Sequence, residues 1–385
     1  MTLHQTRETI IKFGIGSVIS FVIILFIVII YRVGVGVKNT LYPPKIQPPN
    51  SAYDVLPSLQ FPKSATNGNL TYTLNTLTGA LPDFPDRLYI YPFVRQEPNF
   101  LNLDKAKQKA AILGFLNQAG SVVPEIPLGN ANYEWDDPEG VNRKLIFNIV
   151  SFDFKMSSNY LTSLTVLNAQ NLSNQKSAIN VAKIFLDNIA LFPQDIDLDK
   201  TNSPDKNVSY LTYPQLFSIK NSILTPTTSL SKAQVIWVDF YQKDIEYELN
   251  TGVQEGSGFK KIKMKLPILY PHPPNSIMSF WVASGQSDAE VVAAKFVHKD
   301  ISVPTGTEPA TYAIKTGQEA FDDLKNGKAY VASFAGSDSQ VLINNVYLAY
   351  YIGEEKQDYL MPIVVFEGDK DFFAYVSAVK NEWVK

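Results

Sequence analysis

TGQEAFDDLKNG (Thr316–Gly327) is followed by VLINNVYLAYYI (Val341–Ile352), YLMPIVVF (Tyr359–Phe366) and FFAYVSAV (Phe372–Val379). Thr316 and Glu319 have the spacing of a capping box, in which the hydroxyl and the carboxylate each accept a backbone N–H at the start of a helix. Ala320, Phe321 and Leu324 then fall on one helical face, and Gly327 supplies the stop. The three runs after it are rich in Val, Ile, Tyr and Phe, which suit a pleated surface, and Gly368-Asp369 reads as the turn joining the last two. A helix leading into an antiparallel meander is therefore the unit to seek upstream.

The same order recurs. Leu70 to Thr78 and Asp86 to Val94 read as strands, and a helix from Leu103 to Ala119 follows, capped by Asn102 or Asp104 and stopped by Gly120. Arg143 to Lys155 reads as one strand, because Val150, Phe152 and Phe154 alternate with Ser151, Asp153 and Lys155. Gln175 to Ile189 sets Ala178, Val181, Ala182, Phe185 and Ile189 on one helical face, and strands return from Val208. The fold class expected is α+β, with about three helix-plus-antiparallel-sheet units over 66–165, 166–305 and 306–385.

Two runs inside the second unit carry their own register. Asp244 to Leu249 alternates acids with Ile245 and Tyr247, while Lys260 to Leu266 alternates lysines with Ile262 and Met264. A hairpin around Asn250–Phe259 would set Asp244 opposite Lys265, Glu246 opposite Lys263 and Glu248 opposite Lys261, with Ile245 on Met264 and Tyr247 on Ile262.

Phe13 to Tyr31 has no charged residue and is closed by Lys12 and Arg32. As a helix it reaches about 28 Å, close to the hydrocarbon thickness of a bilayer. It is expected to be an uncleaved signal-anchor and the protein's contact with the lipid bilayer, with 1–12 cytoplasmic and the body extracytoplasmic at the plasma membrane. Residues 32–65 are Pro-rich, with six prolines between Pro43 and Pro62. They form either an extended spacer or an irregular coat packed through Tyr53, Leu56, Leu59 and Phe61.

The 385 residues are 45% hydrophobic and 18% charged, enough to bury a core, and the net charge of −3 lacks the basic signature of a nucleic-acid partner. The chain has no cysteine, which excludes disulfides, thiolate metal sites and Cys nucleophiles.

The segments TYAIKTGQEAFDDLKNGKAYV, VLINNVYLAYYIG, YLMPIVVFEG and FFAYVSAV, covering Thr311 to Val379, resemble the terminal module of single-pass membrane-anchored bacterial extracytoplasmic proteins. More loosely they resemble PepSY and YycH/YycI-type regulators. The resemblance implies one N-terminal helix, α+β repeats outside the cytoplasm, and binding or regulatory work rather than catalysis; the partner expected is an envelope protein or peptide. The Pro-rich stretch departs from the compact linkers of YycI-type regulators.

Catalytic patterns are incomplete. Ser173–Lys176 and Ser229–Lys232 match S-x-x-K and Lys315–Gly317 matches K-T-G, but Ser157-Ser158-Asn159 precedes both where a penicillin-binding protein has its S-x-N between them. His4, His272 and His298 are too few and too scattered for a metal site. Asp195, Asp197, Asp199, Asn202 and Asp205 make an oxygen-rich loop, yet Lys206 stands where a calcium loop needs its bidentate Glu, so an exposed acidic turn is expected. Asp136-Asp137 and Glu354-Glu355 read as turn residues. Tyr350, Tyr351 and Tyr359 could line a ligand cleft, with core packing as the alternative account. No catalytic, cofactor or metal residue is assigned. The function expected is a binding or regulatory module; the rivals are a cell-envelope glycan or peptidoglycan hydrolase using carboxylates, and a structural envelope spacer.

Overall fold

The computed structural model describes residues 21, 24–30, 32, 46–66, 70–137, 142–168, 172, 174–202, 214–255, 258–285, 288–304, 309–337 and 339–385. The class is mixed α+β, mostly sheet with a few helices. The chain divides into two units, Met1–Pro48 with Asn250–Ile262, and Pro49–Leu249 with Lys263–Lys385.

In the larger unit, among the described residues, one sheet has nine strands. From edge to edge they are Ile126–Gly129, Asn132–Asp136, Lys144–Asn148, Phe154–Ser157, Ala289–Phe296, Met278–Ser284, Val235–Asp239, Gln215–Lys220 and Ile223–Pro226. Its register aligns Trp135, Leu145, Met156, Ala294, Phe280 and Val238 in one row across six strands. All six are buried. The Gln175–Asn188 helix covers that face: Asn174 caps it by accepting from Ser177 N, and Phe185 lies 6.1 Å from both Phe154 and Phe280.

The second sheet has eight described strands. Thr71–Leu74, Gln340–Tyr351, Tyr359–Gly368, Phe372–Ser377 and Tyr330–Ser333 form its main path, joined by Arg87–Pro92, Ala310–Ala313 and Ile268–Leu269. The Gly317–Lys325 helix carries the expected capping box, with Thr316 accepting from Glu319 N and Glu319 from Thr316 N, and it sets Phe321 6.0 Å from Phe366.

The sheets cut across the boundaries expected at 165/166 and 305/306. Phe154–Phe296 pairing joins the first two expected units, and Arg87–Pro92 pairs with both Ala310–Ala313 and Tyr359-Leu360. The expected antiparallel meander of Gln340–Tyr351, Tyr359–Gly368 and Phe372–Ser377 is present, and Thr71–Leu74 and Ile268–Leu269 join its first strand in parallel. An apolar strand is stabilised by whichever edge buries it, and nearness in sequence does not decide that edge.

Three local expectations are corrected. The strand expected over Arg143–Lys155 is two, Lys144–Asn148 and Phe154–Ser157: Asn148 Oδ1 accepts from Val150 N at 2.9 Å and Ser151 N at 3.0 Å, turning the chain there, and Phe152 takes a positive φ of 60°. The first helix is Asn102–Ile112 and stops at Gly114, not Gly120: Gly114 takes a positive φ of 83°, and Arg143 donates to the carbonyls of Leu113 and Gly114. Its entry is also shifted, with Asn99 Oδ1 accepting from Leu101 N at 2.8 Å. The last hairpin turns on Lys370-Asp371, φ 57° and 53°, two residues beyond Gly368-Asp369. Positive φ at both central residues makes it type I′, whose twist matches the flanking strands.

Ile245–Glu255 and Gly258–Leu266 do form a two-stranded sheet. Glu246 and Glu248 are exposed while Ile245 and Tyr247 are half-buried. Lys265 lies 2.8 Å from Glu246 and 3.9 Å from Asp244, and Asp244 is also held by Lys200, so the ion pairs are shared. In the smaller unit Ile46 bridges Val253, and Gln47 N donates to Gly252 O at 2.9 Å.

Of the Pro-rich run, Asn50 to Ala65 lies along the larger unit as a strap. Ser51 N donates to Thr311 O, Leu56 N to Trp383 O, Ser58 N to Lys385 O and Ala65 N to Val331 O. Leu56 is fully buried, and Phe61 stacks 5.2 Å from Tyr330. The prolines sit where no N–H is needed, and the residues between them donate to the body. Most of Phe13–Tyr31 lies outside the described residues. Ile24 to Ile30 are helical with exposed side chains. Among the described residues no helix is long and apolar enough to cross a membrane.

Candidate functional site

A cleft of about 650 Å³ opens where the two sheets of the larger unit meet. From the eight-stranded sheet come Phe93 to Glu97, running off the end of the Arg87–Pro92 strand, and the loop Glu354 to Asp358. From the nine-stranded sheet come the turns at Asn130-Ala131 and Asn148 to Asp153, with His298 to Asp300 beyond the end of Ala289–Phe296. The lining is polar because it is built of turns and strand ends, where backbone groups leave the ladders.

Lys299 spans the junction. Its Nζ donates to Gly353 O at 2.8 Å and to Glu355 O, and it stands 5.8 Å from the centre of the Phe93 ring. It makes no ion pair within 4 Å among the described residues. Burial disfavours its charge and pushes its pKa down to about 8, against the pull of Asp153, Glu355, Asp358 and Glu354. Asp153 beside it accepts from His298 N at 3.2 Å, and burial raises its carboxyl above the usual range.

His298 has a carboxylate at each ring nitrogen: Asp195 Oδ1 is 2.9 Å from Nε2, and Asp300 Oδ1 is 3.6 Å from Nδ1. Burial alone would raise Asp195, but the bonds from His298 and from Gln242 Nε2 (2.7 Å) hold it below the usual carboxylate range. The ring is also stacked 6.3 Å from Phe296. This arrangement fixes the imidazole in place, and among the described residues neither nitrogen bonds a hydroxyl as a Ser–His–Asp triad would require.

The sequence-derived candidates lie elsewhere. Tyr350 and Tyr351 are buried in the core: Tyr350 Oη donates to Tyr89 O at 2.8 Å and meets Tyr247 Oη at 3.2 Å, and Tyr351 packs 4.9 Å from Phe61. Tyr359 is half-buried beside Tyr53 and lines a smaller pocket of about 170 Å³ between the strap and the Gly353–Tyr359 loop. Lys315 of the K-T-G match pairs with buried Asp323 at 3.0 Å and donates to Ser377 O, while Thr316 serves as the helix cap. In the oxygen-rich loop Asp195 is engaged by His298, and Asp197 caps Leu198–Asn202 by accepting from Asp199 N and Lys200 N; Asp205 lies outside the described residues. Among the described residues no group of three or more His, Asp or Glu is placed to hold a metal.

Lys299, Asp153 and Arg95 carried no local signal in the sequence, since each looks like an ordinary charge at a strand end. His298-Lys299-Asp300, three consecutive polar residues closing an apolar strand, is the feature that could have marked the site.

No protein-family model and no curated protein matches the chain. Among solved structures it is similar to the Bacillus megaterium YpeB C-terminal domain, at 11% sequence identity and a TM-score of 0.26, over 74% of this chain and 95% of that one. It is also similar to an uncharacterized protein from Eubacterium rectale ATCC 33656, at 12% identity and a TM-score of 0.32, over 83% of this chain and 92% of that one. At such TM-scores neither carries an argument about function.

Proposed function

We propose that this chain is an extracytoplasmic binding or regulatory module, anchored by Phe13–Tyr31 with its N-terminus in the cytoplasm, and that it works without catalysis through the cleft between its two sheets. The observation that supports this most is the lining itself. Arg95, Gln96 and Glu97 are exposed and make no hydrogen bond to another described residue, so their peptide groups are open to a ligand. The fixing of His298 between two carboxylates suits a preformed binding wall. The likeness of Thr311 to Val379 to PepSY and YycH/YycI-type modules agrees with this role.

The reading is tested in intact membranes with a photo-crosslinking amino acid placed at Gln96 or at Lys356, and at exposed Lys176 as control. The expected result is one envelope protein or peptide captured from both cleft positions and not from the control. Absence of any cleft adduct, together with turnover of peptidoglycan by the purified protein, overturns it in favour of a hydrolase.

A further inference from the structure

The Arg87–Pro92 strand is paired on both sides, by Ala310–Ala313 and by Tyr359-Leu360. Its pairing continues for two residues into the cleft, where Phe93 N donates to Asp358 O at 3.0 Å and Val94 N to Asp300 O at 2.8 Å. The ladder then stops while the chain goes on, leaving the exposed peptide groups of Arg95 to Glu97 as an open template inside a cavity.

The walls around that template are acidic. Six carboxylates line the cleft against Arg95, Lys299 and Lys356. Lys299 is turned to backbone carbonyls, and neighbouring Lys295 is taken up by Glu354. Glu97, Glu355 and Asp358 make no ion pair within 4 Å among the described residues. The excess of carboxylates over cations in the lining favours a cationic occupant and disfavours phosphate or nucleic acid. The volume of about 650 Å³ falls within the range of roughly 300–1,000 Å³ that holds specific ligands.

Resting on the reading of the cleft as a binding site, we propose that its occupant is an extended basic polypeptide segment, which hydrogen-bonds to the backbone of Arg95–Glu97 and sets Lys or Arg side chains against Glu97, Glu355 and Asp358. Backbone pairing supplies the direction and register of the segment, and the carboxylates select its charge.

The test uses the full chain in detergent micelles and a fluorescent, end-capped octapeptide of alternating Lys and Val, followed by anisotropy. The expected result is saturable binding that weakens at least about tenfold in an E97K, E355K and D358K variant. These three side chains are exposed, and circular dichroism checks that the variant is folded. Methylating alternate peptide nitrogens of the octapeptide is expected to weaken binding by a similar factor, and a Glu-Val octapeptide is expected not to bind. Equal binding of the Glu-Val peptide, or indifference to the triple variant, overturns the proposal. Displacement by spermidine combined with indifference to N-methylation also overturns it, since the site would then take small polyamines. If the Lys-Val peptide fails while crosslinking from Gln96 still captures a partner, the basic-peptide assignment falls and the cleft reading stands. If both fail, both fall.

Discussion

The ammonium of Lys299 lies 2.8 Å from the carbonyl oxygen of Gly353, so a side chain that follows one sheet is tied to the backbone of a loop in the other. Six carboxylates share the cleft outside its ion-pair reach, yet its hydrogen bonds go to peptide oxygens of Gly353 and Glu355. A charged donor held by neutral acceptors in a partly dry site explains why burial outweighs its acidic surroundings.

This gives a pH signature. Lys299 has a folded pKa near 8, below its unfolded value of about 10.4. Between those values the unfolded chain binds more protons, so this residue's contribution to stability rises as pH increases from about 8 to 10.4. Other groups titrate in the same window, so the comparison is with Lys299→Met. Urea unfolding at pH 7.5 and pH 10 is expected to show wild type gaining about 1–3 kcal/mol relative to the variant. Parallel pH profiles for the two would refute it.

Asp239 gives the opposite slope at low pH. Ser279 Oγ and Trp237 Nε1 donate to it, but burial outweighs both and pushes its carboxyl up to about 6. With a folded pKa above the unfolded one, the folded state binds more protons between about pH 4 and 6, and stability falls as pH rises through that window. In Asp239→Asn that loss, at most about 3 kcal/mol, is expected to disappear. Denaturant midpoints at pH 4.5 and 6.5 decide it.

The strap is expected to be part of the folded body. Leu56→Ala removes a fully buried side chain and should cost about 2–5 kcal/mol in chemical denaturation. A chain beginning at Pro49 should keep the stability of the larger unit, whereas one beginning at Gly68 should lose it. Equal stability of the two truncations would mean that the strap is dispensable.

At the capping box, Thr316→Ala should lower stability by about 1 kcal/mol, measured by thermal or urea unfolding. Glu319→Ala on that background should add less than it does alone, because the two residues bond reciprocally. Full additivity would contradict the shared cap.

The type I′ turn at Lys370-Asp371 places two non-glycine residues at positive φ. Asp371→Gly should stabilise the protein by about 0.5–1 kcal/mol, since glycine adopts that conformation without a Cβ penalty. A loss of stability would show that Asp371 supplies more than a turn.

Legibility in the sequence followed the range of the interaction. The Thr316 cap, the stripe of Ala320, Phe321 and Leu324 and the charge alternation of Asp244 to Leu249 depend on residues a turn or a strand apart, and a spacing of three, four or two reveals them. The break at Asn148 was hidden because its side chain satisfies the turn at Val150 and Ser151 while leaving the alternating pattern of Phe152 and Phe154 intact. Tyr350 and Tyr351 looked like cleft residues because an aromatic ring suits a ligand wall and a buried sheet equally well.

The linear chain by itself determined where helices and apolar strands could form, that no cysteine chemistry is available, and that an uncharged apolar run of bilayer length stands near its start. Only the tertiary structure decided which strands share a sheet, that Asn50 to Ala65 straps the body, and that Arg95, Asp153, His298, Lys299 and Glu355 line one cleft. The reason is physical. Local propensity and periodicity act between near neighbours, whereas a cleft forms where strand ends far apart in the chain are brought together by the burial of the apolar faces behind them.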